Sequence, residues 1–91
     1  MKQALPGAEL IDAGLADLRE GRETHAALLV AIGAPRLRRI GVEIPDALPD
    51  NPEYRLYSLL AEDDSDSAHS RYNGFIRRLV SYERAAECVK Q

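Results

Sequence analysis

The sequence predicts an all-α fold: a single small domain of four main helices around a buried central helix, orthogonal or bundle-like. Three observations predict it. Residues 26–34, Ala-Ala-Leu-Leu-Val-Ala-Ile-Gly-Ala, carry no polar side chain, and a helix that is apolar all round has no face to offer water. The other segments repeat apolar residues at intervals of three and four with charges between them, which is the period of a helix with one buried stripe. No run alternates in the manner of a half-buried strand, so strand content should be negligible.

The first helix is expected over 6–20. Ile11, Leu15 and Leu18 form its stripe with Leu10 at the edge, and Glu9, Asp12, Asp17 and Glu20 fall elsewhere. Pro6 suits a first helical turn, and Glu9 suits the positive end of the helix dipole. Gly14 lies inside the stripe, where its missing side chain lets another helix come close, and Gly21 can take the positive φ that ends a helix. The central helix is expected over 22–33. Gly33-Ala34-Pro35 should break or kink it, leaving a short turn over 35–40 that Gly41 stops.

Residues 41–51 read as a loop laid over the core, with Val42, Ile44 and Leu48 as anchors. Asn51-Pro52-Glu53 opens a third helix, 52–62, as N-cap, first helical residue and dipole partner. Its apolar face is Leu56, Leu59 and Leu60, joined by Tyr57. After the acidic turn Glu62–Ser67, Asp66 or Ser67 can cap a last helix over 67–89. The stripe of that helix is Ala68, Tyr72, Phe75, Ile76, Leu79, Tyr82 and Ala86, and it keeps its period through Asn73-Gly74, so Gly74 should face solvent in an unbroken helix. Glu83 projects into the stripe. Either an arginine from another segment meets it or the helix has left the core by then, and the second reading, a partly exposed Glu83 at a peripheral end, is the expectation.

The 91 residues carry a net charge of −3, which gives the whole chain no attraction for nucleic acid or an anionic membrane. Cys88 is the single cysteine and can form no internal disulfide. The start, Met-Lys-Gln-Ala-Leu-Pro-Gly, lacks the apolar core of a signal peptide, and no uncharged run is long enough to span a bilayer. A cytoplasmic protein is expected.

No catalytic, cofactor or metal motif emerges. With Asp64 and Asp66 at the first and third positions of a calcium loop, Ala68, His69 and Phe75 fall where an oxygen ligand, a glycine and a glutamate are required. His25 and His69 build no metal face of converging ligands, and His69-Ser70 lacks a nucleophile elbow. The six glycines are isolated from one another, which excludes a phosphate loop.

The expected function is therefore a non-enzymatic protein–protein interaction module, self-associating or a subunit of a larger assembly. Its candidate interface is Arg71, Arg78, Leu79 and Tyr82 on the last helix, because arginine and tyrosine are interface anchors. Arg77 and Arg84 project to the outer side. The alternative is a nucleic-acid-binding or regulatory domain that uses 31–40 as a helix-turn-helix with Arg36, Arg38 and Arg39 as contacts. A third reading is a small-molecule site between helices using Arg71, Tyr72 or His69.

Overall fold

The computed structural model describes residues 5–90; the expectation drawn from Met1 to Ala4 lies outside them. Four helices follow one another, α1 (Ala8–Arg19), α2 (His25–Arg39), α3 (Pro52–Asp63) and α4 (Ala68–Lys90), with no strand among the described residues. They make a compact globule with a radius of gyration of 13.0 Å. No described helix is long and apolar enough to cross a membrane.

Helix α2 occupies the centre. Ala27, Leu28, Leu29 and Val30 are consecutive and all at most 1% exposed, as a helix with no polar face requires. Ile11, Leu15 and Leu18 of α1, Leu56 and Leu60 of α3 and Ala68 and Leu79 of α4 complete the core. A fully buried leucine or isoleucine contributes about 1.5–3 kcal/mol, so this small set sustains the fold. Val42, Ile44 and Leu48 pack against the core from the connecting loop.

Glycines end both of the first two helices by the same hydrogen-bond pattern. Gly21 (φ 74°) donates to the Leu18 carbonyl and Arg22 to that of Asp17, while Gly41 (φ 96°) donates to Arg38 and Val42 to Leu37. These paired bonds satisfy carbonyls that the helix end would otherwise leave without donors. Thr24 starts α2: its hydroxyl accepts from the Ala27 amide at 3.1 Å and donates to Asp17 at 2.6 Å, joining the cap of α2 to α1. Asn51 precedes Pro52 as expected, but it does so in the left-handed region (φ 48°) with no side-chain cap bond. Its value there is tolerance of that backbone. Asp64 organises the acidic turn, accepting from the Asp66 amide at its carboxylate and from the Ser67 amide at its carbonyl.

Two expectations are corrected. Helix α2 does not break at Gly33-Ala34-Pro35: it runs unbroken to Arg39 with Pro35 inside it, and no separate turn forms over 35–40. Pro35 withholds one amide from the helix ladder, but its ring is exposed, and the buried Gly33, Ala34 and Leu37 hold the segment against the core. Glu83 is not at a peripheral end either. It is 4% exposed and faces Arg36, so the partner from another segment is present.

Candidate functional site

The two sets of residues singled out in the sequence are placed very differently. Of the interface set, Leu79 is 4% exposed and belongs to the core, so it offers no surface to a partner. Tyr82 is half-buried, with its Cβ 3.6 Å from where a Cβ on Gly7 would stand, and burial first, then the charge of Asp12, raises its hydroxyl pKa. Arg71 pairs with Asp63 at 2.6 Å, and the Arg78 guanidinium sits 6.0 Å from the centre of the Phe75 ring. The α4 stripe is therefore packed against the core as far as Glu83, with Ala68 and Leu79 buried and Tyr72, Phe75, Ile76 and Tyr82 half-buried.

The nucleic-acid set has lost its framework, because residues 31–39 are one helix and Ile40 its C-cap. Arg36 turns inward to α4. Its Nη1 lies 3.5 Å from Glu83 Oε1, its Nε donates to Glu87 Oε2 at 3.2 Å, and its Nη2 donates to Glu87 Oε1. Arg38 donates to the Pro45 carbonyl at 3.0 Å. Of the three, Arg39 alone is exposed without a described hydrogen bond or ion pair.

Arg36 holds two carboxylates one helical turn apart in opposite conditions. Burial pushes the Glu83 carboxyl up against the counter-pull of Arg36, whereas the hydrogen bonds from Arg36 hold the half-exposed Glu87 down. Both acids of α4 thus meet Arg36, while Arg77 and Arg84 stay exposed.

A different helix presents the uncharged surface. Tyr54, Tyr57, Ser58 and Ala61 stand at positions i, i+3, i+4 and i+7 of α3 and so share one face. Tyr54 is 75% exposed and Tyr57 40%. Tyr57 tilts against Tyr72 of α4 with ring centres 5.7 Å apart. Sequence reading missed this face because it followed Leu56, Leu59 and Leu60 and joined Tyr57 to them, whereas Tyr57 is exposed. The readable signal was a second run without charge on the side of the helix away from those leucines.

Several shallow cavities line the surface. One of about 270 Å³ lies between the start of α2 and α3, bordered by Glu23, Tyr54, Arg55 and Glu62. Another, of about 220 Å³, opens over Gly74 between Arg71 and Arg78. No group of three or more potential metal ligands converges among the described residues. No family model matches the chain, and no curated protein or solved structure matches it.

Proposed function

We propose that this chain is a non-enzymatic protein–protein interaction module that self-associates through the outer face of α3. The observation that carries the reading is the exposure of Tyr54 and Tyr57, two aromatic side chains one turn apart on α3. Tyrosine supplies large contact area at small entropic cost and is enriched at interface centres. The exposed charges that border this face, Glu53, Arg55 and Glu62, are of both signs, so a two-fold contact can pair them at its rim. The outer face of α4 is less suited, because Arg77 and Arg84 are exposed there and a two-fold contact would bring cations together.

In this reading the four helices form an orthogonal or bundle-like scaffold whose task is to hold α3 rigid. Glu83 is a register pin for α4, seated against Arg36, and has no reactive role. The exposed Cys88 suits a reducing compartment such as the cytoplasm.

Native mass spectrometry over a range of concentrations tests the proposal. A dimer is expected for the native chain, and a monomer with an unchanged helical circular-dichroism spectrum for Tyr54→Glu, which sets two carboxylates together at the symmetric contact. A native monomer, or a Tyr54→Glu protein that still dimerises, would refute it.

A further inference from the structure

Gly74 poses a physical question that the fold leaves unanswered. It lies in the interior of α4, where glycine is the costliest residue after proline. The other two helical glycines are explained by close packing: a Cβ on Gly14 or Gly33 would meet atoms of a neighbouring helix at 2.3 Å and 2.8 Å. A Cβ on Gly74 would meet nothing within 4 Å. Gly74 ends no helix, and its φ is not in the left-handed region. What its missing side chain leaves is space.

That space is a notch of about 220 Å³ lined by Arg71, Gly74, Phe75 and Arg78. Two of the four are cationic and none is acidic. Arg71 and Arg78 stand two turns apart on one side of α4, about 10 Å along its axis, with Gly74 between them. Arg78 lies over the Phe75 ring and makes no ion pair among the described residues, so its charge is positioned without being neutralised. Arg71 pairs with Asp63, a carboxylate that is itself 66% exposed. Glu9 borders a separate cavity that also touches Arg78.

We infer that the notch over Gly74 binds the phosphoryl group of a small soluble phosphomonoester, held between the guanidinium groups of Arg71 and Arg78. Guanidinium matches phosphate oxygens in a two-pronged geometry that a lysine does not reproduce. A dianionic phosphoryl group would displace Asp63 from Arg71 and supply the partner that Arg78 lacks. The volume is below the roughly 300–1,000 Å³ of pockets that enclose a whole ligand, so the notch grips the phosphoryl end and leaves the remainder of the molecule in solvent.

The test is a titration of the isotope-labelled chain with inorganic phosphate, and separately with phenyl phosphate, followed by amide and arginine side-chain resonances at constant ionic strength against chloride. Saturable shifts at Gly74, Phe75 and Arg78 are expected with both probes and not with chloride. Arg78→Gln should weaken binding at least tenfold. Gly74→Val, which fills the notch, should weaken it as much while unfolding at no lower temperature than the native chain. Phosphate shifts no larger than those of chloride, or undiminished affinity in Gly74→Val, would overturn the inference. Cosedimentation with phosphatidic acid vesicles in the absence of a response to the soluble probes would overturn the soluble source.

Discussion

Helix α2 is approached closely from two sides, by α1 at Gly14 and by α4 at its own Gly33, and the two contacts are built from different materials. A Cβ on Gly14 would lie 2.3 Å from the Ala26 carbonyl oxygen and 2.5 Å from Val30 Cγ2. The obstacle is mostly backbone, fixed within a buried helix. A Cβ on Gly33 would instead lie 2.8 Å from Leu79 Cδ1 and 3.1 Å from Glu83 Oε2, the far ends of two side chains. One contact is rigid and the other can yield, although the sequence device is the same.

The largest effect should come from testing the rigid contact. Gly14→Ala gains about 1 kcal/mol of helix propensity but forces α1 away from α2, and a net loss of about 3 kcal/mol is expected, read as a fall in the urea midpoint. That is a substantial part of the roughly 5–15 kcal/mol typical of a domain. Thr24→Ala works on the same contact from its edge, removing the α2 cap and the bond to Asp17. It should cost about 1–2 kcal/mol in the same titration.

At the yielding contact Gly33→Ala should change stability by no more than about 1 kcal/mol, because the propensity gain offsets the movement of Leu79 and Glu83. A loss as large as that of Gly14→Ala would erase the distinction between the two contacts.

The smallest effect concerns pH. The Glu83 carboxyl titrates higher in the folded chain than in the unfolded one, so the native state binds more protons there, and stability falls as pH rises from the ordinary carboxylate value to the raised one. Glu87 has the opposite sign: its lowered pKa contributes stability above the ordinary value that is lost as pH falls. Glu83→Gln should remove the fall on the high side alone. Thermal melts across pH 4 to 8 would show the variant at least as stable as the native chain near neutrality and converging with it in acid. Arg36 keeps Glu87 as its partner in that variant.

What was legible in the sequence follows the range of the interactions concerned. The helices over Ile11, Leu29, Leu56 and Leu79 were readable because their stripes are local, as were the stops at Gly21 and Gly41 and the close approach at Gly14. The burial of Glu83 was not readable, since its partner Arg36 is 47 residues away and nothing near Glu83 announces it. Pro35 misled because its cost is local while the burial of Gly33, Ala34 and Leu37 that holds α2 together is not. Of the expected interface, Tyr82 and Leu79 were assigned to a surface that the start of α1 and the Gly33 region of α2 turn out to cover. The exposed face of α3 is carried by Tyr54, a residue that the leucine pattern had passed over.

The Arg36 fork also has a kinetic meaning. Helices α1 and α2 are joined by a short connection, and their contact at Gly14 closes over few residues, so that pair can assemble early with little loss of chain entropy. The bonds from Arg36 to α4 close loops of 47 and 51 residues and so cost more chain entropy to form. Docking of α4 is then the late step of folding and its release the first step of opening, so the amides of α4 should exchange with solvent deuterium ahead of those of α2.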